Sequence, residues 1–230
     1  RELGVVVKKA RALEILTEDG AVRGVKTDAG ELDCDSVIIC TGGMSYPKTG
    51  SSGDGYRMAA KLGHTIVEPK PSLVALETDD DCCPRMQGLS LKNVTLTAFD
   101  NSGRRIFEEL GEMQFTHFGI SGPLVLSASA HMRDFKSGGY TVKIDLKPGL
   151  DEKKLDARIL RDFEKYANRD FKNALDDLLA RLMIPVVVER SGIPGDTKVH
   201  SITRQQRQGL VKLLKGFSLN ITGPRPIEEA

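Results

Sequence analysis

The chain has 230 residues, of which 40% are hydrophobic, and its 33 Lys and Arg nearly balance its 32 Asp and Glu. This length allows one or two domains with a substantial core. The balanced charge gives no global reason to expect nucleic acid or an anionic membrane as a partner. No apolar run approaches the ~20 residues that a membrane-spanning helix needs. The start at Arg1 leads directly into valines without a leader-like region, which indicates a boundary inside a longer protein.

The first forty residues read as short strands joined by tight turns. The turns are Glu18-Asp19-Gly20 and Asp28-Ala29-Gly30. Ser36–Cys40 is apolar at three consecutive positions, which is typical of a strand buried on both faces of a parallel sheet. A short helix over Tyr56–Leu62 ends at Gly63. The predicted strands are 3–7, 12–18, 21–27 and 31–40.

Alternating polarity from residue 72 onward predicts a small barrel or sandwich. Glycines at 103 and 111 mark turns between its strands. One helix begins at Ser121-Gly122-Pro123, where the missing N–H of proline is harmless, and continues to about Phe135. The predicted strands are 72–77, 89–99, 104–110, 112–116 and 140–146.

Helices dominate from residue 151, followed by a strand at 217–222. Asp151 is positioned to cap the first helix, whose apolar face repeats every three to four residues. A second helix over 174–182 is expected to end before Pro185. Thr203 and Gln206 form a capping box that opens the third.

The cysteines and histidines offer no metal site. Cys82 and Cys83 are adjacent and lack the spacing of zinc or redox motifs. A reduced, cytoplasmic protein is the simplest interpretation, and a vicinal disulfide or a substrate-facing thiol is the alternative. Walker A is absent, Gly53–Met58 lacks the last glycine of G-x-G-x-x-G, and Gly119–Pro123 lacks the last glycine of a nucleophile elbow.

The strand–loop–helix segment Val37–Tyr56 is the strongest candidate site. Gly42 and Gly43 let the backbone approach a flat or charged ligand without an intervening Cβ. Ser52 and nearby N–H groups at a helix N-terminus could hold an anion, and Asp54 could accept hydrogen bonds from ribose-like or ribityl hydroxyls. The alternative is that Ser52 and Asp54 only cap the helix.

This segment resembles the Ala-Thr-Gly-Gly-x-Ser-Tyr-Pro-x-Thr-Gly-Ser-Thr-Gly-Asp-Gly-Tyr stretch of BaiN-like NAD(P)/FAD-dependent oxidoreductases, the bacterial aminoacetone oxidase family. The likeness continues through further blocks, including Gly111–Pro123 and Ile144–Pro148, and covers roughly 35–150. Cys40 and Ser52 depart from the family's alanine and threonine by small changes.

The resemblance implies that FAD is the cofactor and that NAD(P)H is the electron donor. Thr41, Gly42 and Gly43 are expected to approach FAD, and Ser52, Gly53 and Asp54 to line the cofactor loop. His117 is a weak candidate for a catalytic residue that faces the flavin or substrate, with a hydrogen-bonded structural histidine as the alternative. The other catalytic residues and the oligomeric state stay open. The expected partner is a small-molecule substrate, with no nucleic acid and no membrane.

The predicted fold class is α+β, a fragment of an α/β FAD-binding domain with an inserted small β-barrel and a helical subdomain. The chain is expected to lack the family's N-terminal G-x-G-x-x-G unit and C-terminal flavin-capping segment, and to be inactive alone. The insert is expected to shape the substrate side, and a non-catalytic binding or interaction module is the rival interpretation. The predicted domains are 1–71 (partial FAD-binding), 72–150 (β-barrel-like), 151–216 (helical) and 217–230 (a strand returning toward the FAD-binding domain).

Overall fold

The computed structural model describes residues 4–135 and 138–229 and contains both helices and antiparallel sheets, so the predicted α+β class is confirmed. The chain divides into two compact units at Pro69 and Lys70. Within the described residues, no helix is both long and apolar enough to cross a membrane.

The first unit contains a three-stranded antiparallel sheet in the order β1-β2-β3. Its elements are β1 (Ala12–Glu18), β2 (Ala21–Thr27), β3 (Gly30–Asp33), a 3₁₀ turn (Pro47–Thr49) and α1 (Asp54–Lys61). Asp19 and Gly20, between β1 and β2, both have positive φ, as a tight hairpin turn requires. The strands predicted at 12–18 and 21–27 are confirmed.

Two predicted strands of this unit are wrong. Of the strand predicted at 3–7, residue 3 lies outside the described residues and residues 4–7 form no strand. Of the strand predicted at 31–40, residues 31–33 belong to β3, but Ser36–Cys40 form no strand, and Ile38 is 88% exposed. An apolar strand is stabilised by neighbours that pair its backbone and cover both of its faces. No strand of the described chain pairs with Ser36–Cys40, so its apolar composition alone does not produce one.

The second unit is built on a seven-stranded antiparallel sheet in the order β10-β4-β7-β6-β5-β8-β9. Its strands are β4 (Leu76–Glu77), β5 (Ser90–Phe99), β6 (Arg105–Phe115), β7 (Gly119–Ser121), β8 (Tyr140–Asp145), β9 (Phe217–Ile221) and β10 (Gly223–Pro224). Its helices are α2 (Cys82–Arg85), α3 (Pro123–Ser129), α4 (Glu152–Lys165), α5 (Ile184–Ser191) and α6 (Arg204–Lys215), with 3₁₀ turns at Phe171–Asn173 and Val199–Ser201.

One chain segment closes this sheet. β9 and β10 lie at opposite edges of the strand order, yet only Thr222 separates them in sequence. The Thr222 N–H donates to the Glu77 carbonyl at 2.9 Å, and the Arg225 N–H donates to the Ala75 carbonyl at 2.9 Å. The segment therefore pairs with β8 through its first half and with β4 through its second half, which produces a barrel. The strand predicted at 217–222 corresponds to β9 of this sheet.

The predicted turn at Gly111 is wrong, because β6 runs through it as one strand. Gly111 pairs with Val94 of β5, and a Cβ there would lie 3.1 Å from the Leu124 side chain of α3. The glycine therefore permits close packing of α3 on the strand. The helix predicted to reach Phe135 ends at Ser129, and the strand predicted over 72–77 is confined to β4.

Two helix starts predicted in the last third are confirmed. The Asp151 side chain accepts from the Lys154 N–H at 2.8 Å, and both hydrogen bonds of the Thr203–Gln206 capping box are present. The helix predicted over 174–182 is wrong, since turns occupy it and Pro185 lies in the first turn of α5. Proline fits that position because first-turn N–H groups have no partner within the helix.

A single buried cluster joins the barrel to its helices. Phe115 and Phe217 lie in edge-to-face contact, with ring centroids 6.5 Å apart. Leu155 of α4 and Leu210 of α6 are fully buried where these helices pack together. Each such side chain contributes about 1.5–3 kcal/mol through burial, so this unit holds a core of its own.

Candidate functional site

The glycine-rich loop is held closed by backbone contacts within the first unit. The Gly53 N–H donates to the Gly43 carbonyl at 3.1 Å, which joins the two arms of the loop. A Cβ on Gly55 would lie 2.4 Å from Thr41 Oγ1 and 2.8 Å from Ile39 Cγ2. The close approach of α1 to the loop therefore requires glycine at position 55.

An open cleft of about 270 Å³ lies between this loop and α1. Its lining residues are Ile39, Cys40, Thr41 and Gly42 from the loop and Gly55, Tyr56 and Ala59 from the helix. Gly42 is exposed at the cleft, whereas Gly55 is buried against Thr41 and Ile39. The volume is just below the ~300–1,000 Å³ of complete small-molecule sites, so the cleft can hold one part of a larger ligand.

A charged network surrounds Asp54 at the start of α1. Ser52 Oγ donates to Asp54 Oδ2 at 3.0 Å, and the Arg57 guanidinium donates to Oδ1. Arg11 lies 3.6 Å from the same carboxylate. The hydrogen bond from Ser52 and the charges of Arg57 and Arg11 lower the pKa of Asp54, which keeps it ionised. A carboxylate has about four acceptor positions, so Asp54 retains capacity for a ligand hydroxyl.

The capping alternative for Ser52 and Asp54 is not what the structure contains. Gly53 is the N-cap of α1, with φ at 75°, and no side chain caps the helix. The first-turn N–H groups of an eight-residue helix therefore lack a side-chain acceptor, and they lie beside Arg11 and Arg57. This arrangement suits an anion such as a phosphate group.

The structure brings all six predicted cofactor residues into one loop, and the loop fits a dinucleotide in two respects. Bare backbone at the cleft suits a flat ring, and the helix start with two arginines suits a phosphate. The sequence interpretation overlooked Gly55 and Arg57. Their positions carried a usable signal, because Gly55 completes Gly-x-Gly and Arg57 follows Asp54 by three residues in a helix.

His117 lies in a tight turn between β6 and β7 of the second unit. The Thr116 N–H donates to the Gly119 carbonyl at 2.8 Å, and the exposed His117 ring contacts Phe118 edge-on, with centroids 5.0 Å apart. The Arg225 guanidinium carbon lies 4.6 Å from the centroid of the Phe118 ring. Within the described residues the His117 ring makes no hydrogen bond, so the alternative of a hydrogen-bonded histidine has no support. Its catalytic role stays a prediction.

The vicinal cysteines are structural. Cys82 and Cys83 are free thiols and fully buried, so the alternative of a substrate-facing thiol is wrong. Contact with Cys83 and burial raise the pKa of Cys82, although an Arg190 N–H donates to its Sγ at 3.3 Å. A thiol that stays protonated is a poor nucleophile.

A closed antiparallel barrel with a helical subdomain, preceded by a glycine-rich loop against a helix start, defines an α+β protein with a candidate nucleotide-cofactor loop. Residues 70–230 match the family model described as the HI0933-like protein barrel and H2TH domain. The chain belongs to this family.

Three curated relatives are similar to most of the chain. The ribosomal RNA dihydrouridine synthase of Haemophilus influenzae is 28% identical over 214 residues, which cover 92% of this chain and 50% of the relative. The 3-dehydro-bile acid delta(4,6)-reductase of Clostridium scindens is 24% identical over 209 residues, covering 90% and 50%. The ribosomal RNA dihydrouridine synthase of Escherichia coli is 26% identical over 190 residues, covering 83% and 45%.

The chain thus spans about half the length of the curated relatives it matches. One of them is named as a reductase, so the predicted kinship with an oxidoreductase family is confirmed.

Proposed function

We propose that the whole protein is an FAD-dependent reductase that takes hydride from NAD(P)H and delivers it to an unsaturated ring of an organic substrate. The observation that carries this proposal is the cleft at the glycine-rich loop, where the exposed Gly42 leaves backbone without a Cβ. The names of the relatives support it, since each denotes a reduction that adds hydrogen to an unsaturated ring.

Six residues would hold the cofactor in this proposal: Thr41, Gly42, Gly43, Ser52, Gly53 and Asp54. When bound, FAD supplies the acceptance and donation of hydride. The chain's own groups bind and orient it. Arg11 and Arg57 offset phosphate charge, the first turn of α1 donates N–H groups, and Asp54 accepts from a hydroxyl.

The relatives' names describe two kinds of substrate, a uridine of ribosomal RNA and a bile acid. Our proposal places substrate choice in the barrel and helices. Exchange of residues 72–218 for those of a relative with the other substrate tests this, and an unchanged preference would contradict it.

Gly43 offers a direct test of cofactor binding. A Cβ at Gly43 meets only Tyr56 Oη, at 4.0 Å, so Gly43→Val leaves the loop intact but covers its backbone. We expect the whole protein to retain the flavin absorption band near ~450 nm after dialysis and the variant to bind FAD at least about tenfold more weakly. Gly149→Val, at an open position with nothing within 4 Å, is the control. Equal FAD binding by all three proteins would contradict the proposed site.

The 230-residue chain provides a second comparison. If the cofactor site is completed by the remainder of the protein, FAD added to this chain is lost on dialysis, whereas the whole protein keeps it. A whole protein that binds no flavin and oxidises neither NADH nor NADPH would favour the rival interpretation, a non-catalytic interaction module.

A further inference from the structure

A groove of about 400 Å³ lies between α4 and α6 of the second unit. Its volume falls within the ~300–1,000 Å³ of complete small-molecule sites, whereas the cleft at the glycine-rich loop falls below it. Arg207 of α6 joins the two walls, because its Nε donates to Asp156 Oδ1 of α4 at 2.7 Å and its Nη2 donates to Oδ2 at 3.2 Å. The groove is therefore held open by an ion pair between helices rather than formed by a loop.

The lining of this groove has an excess of positive charge. Lys153 of α4 and Arg204 and Lys212 of α6 are exposed along it, and none of them has an ion-pair partner among the residues that the structure describes. Arg207 neutralises Asp156, so Glu152 is the one lining carboxylate without a partner in the described chain. Three cations against one carboxylate leave the groove net positive, which favours an anionic ligand.

The polar side chains of α6 follow a regular spacing along the groove. Arg204, Gln208 and Lys212 succeed one another at intervals of four residues, so they lie on one face of the helix. The two cations are about 12 Å apart along the helix axis, with the amide midway. Val211 is the one apolar lining residue and is buried, so the groove lacks the row of anchors that a helical peptide would need. This spacing suits a small ligand with two anionic groups joined by a polar, uncharged part.

The adenosine part of NADPH has this distribution of charge. Its ribose bears a pyrophosphate at the 5′ position and a phosphate monoester at the 2′ position, and the remaining ribose hydroxyl can exchange hydrogen bonds with an amide. The monoester carries about −1.5 to −2 charges at pH 7. NADH has a hydroxyl at the 2′ position, so it can occupy only one of the two cationic ends of the groove.

We infer that the groove between α4 and α6 holds the phosphate groups of the nicotinamide donor and selects NADPH over NADH. Arg204 is assigned to the 2′-phosphate, because a planar guanidinium grips two oxygens of one phosphate. Lys153 and Lys212 are left to offset the pyrophosphate. The identity of the ligand as an electron donor rests on the proposed function, whereas the preference for a doubly phosphorylated ribose rests on the groove.

The test is isothermal titration calorimetry of the whole protein in its oxidised form, with NADP⁺ and NAD⁺ as probes, so that no hydride is transferred. At about 0.1 M salt we expect NADP⁺ to bind at least about tenfold more tightly than NAD⁺. The nucleotide 2′,5′-ADP bears a phosphate at both ribose positions but no nicotinamide, and it should bind within about fivefold of NADP⁺. Tripolyphosphate, which offers charge without a ribose, should bind at least about tenfold more weakly than 2′,5′-ADP.

Substitution of Arg204 separates recognition of the 2′-phosphate from a general loss of structure. We expect Arg204→Ala to weaken NADP⁺ binding at least about tenfold and NAD⁺ binding less than about threefold. Arg204→Lys keeps the charge and should recover part of the loss. Arg181→Ala removes an exposed arginine outside the groove and should change neither affinity by more than about twofold.

Two further measurements accompany these affinities. Glu152→Gln removes the unpaired carboxylate and should tighten NADP⁺ binding about two- to threefold. In NADPH oxidation by the whole protein, Arg204→Ala should raise KM for NADPH and leave kcat unchanged, because the lost contact is the same before and during hydride transfer. Thermal unfolding within a few degrees of the unaltered protein confirms that each variant is folded.

Four outcomes would overturn the inference: no binding of NADP⁺, equal affinity for NAD⁺ and NADP⁺, equal affinity for tripolyphosphate and 2′,5′-ADP, and equal losses in the Arg204→Ala and Arg181→Ala variants. A protein that binds FAD but fails these tests keeps the proposed reductase function and loses only the inference. A protein that passes them but binds no flavin contradicts the proposed function instead.

Discussion

The two units of the chain differ in how their residues are stabilised. Among the described residues, the buried hydrophobic side chains of the first unit are Ile15 and Met58, whereas some forty form one cluster in the second. Turns, ion pairs and close glycine contacts define the first unit, and apolar burial defines the second. The comparison shows that the candidate cofactor loop and the hydrophobic core belong to separate units.

The largest expected effect is the loss of a core aromatic. Phe217 is fully buried, contacts Phe115, and lies under the Arg190 guanidinium at 4.3 Å. We expect Phe217→Ala to lower the free energy of unfolding in urea by about 3–5 kcal/mol. Ile15→Ala, the matched truncation in the first unit, should cost at most about 2 kcal/mol, because Met58 is the one other buried hydrophobic side chain among the described residues of that unit. Equal losses of unfolding free energy in the two variants would contradict the difference in core packing between the two units.

The next effect is electrostatic and lies at the junction of α2 and α5. Burial acts to raise the pKa of Asp80, but hydrogen bonds from Cys82 and Arg190 outweigh it, so the pKa is lowered. Because the pKa of Asp80 is lower in the folded than in the unfolded chain, the ionised carboxylate stabilises the fold at pH values above its unfolded pKa of about 3.9. This stabilisation is lost as the pH falls through the folded pKa.

Asp80→Asn should therefore cost about 1–2 kcal/mol near pH 7, after allowance for solvent screening. The difference from the unaltered protein should shrink below about pH 4 in urea titrations. Asp79→Asn, at an exposed neighbour, is the control. A difference that stays constant down to about pH 2 would exclude the ionised Asp80 as its source.

A smaller effect is expected at the start of α6. Thr203→Ala removes the hydroxyl that accepts from the Gln206 N–H at 3.2 Å, and should cost about 1 kcal/mol in chemical denaturation. Thr203→Ser keeps the hydroxyl and should restore most of it. If serine is no better than alanine, the capping box does not stabilise this helix.

The smallest expected effect is an increase in stability. Gly209 lies inside α6, with nothing within 4 Å of an added Cβ, so Gly209→Ala should raise the free energy of unfolding by about 0.5–1 kcal/mol. Gly192 ends α5 with φ at 66°, and alanine there should destabilise. Thermal unfolding of both variants separates helix propensity from backbone strain.

The sequence correctly predicted two kinds of element. They are helix starts that depend on nearby residues, and strands whose apolar face packs against other parts of the same chain. The caps at Asp151 and Thr203 depend on residues three positions apart, and β5 and β8 alternate toward a core that the chain supplies. Ser36–Cys40 has a strand's composition, but no described strand pairs with it. Gly111 and Pro185 were misassigned for another reason. Glycine occurs both in turns and inside strands, and proline both after a helix and in its first turn, so only the packing of neighbouring elements decides between these structures.

The candidate site was predictable as a loop but not as a network. Glycine spacing located Thr41–Asp54, and family resemblance suggested the ligand. The pairing of Asp54 with Arg11 depends on a chain separation of more than forty residues, which no local pattern encodes.

Closure of the barrel by one late segment has a consequence for biosynthesis. Leu76 of β4 pairs with Pro224 of β10, so the two edges join only after almost the whole described chain has left the ribosome. At about 5–20 residues per second, the nascent chain has β4 and β8 with open edges for several seconds. Unpaired edges promote association with other chains, so this interval is when nascent molecules are most prone to aggregate.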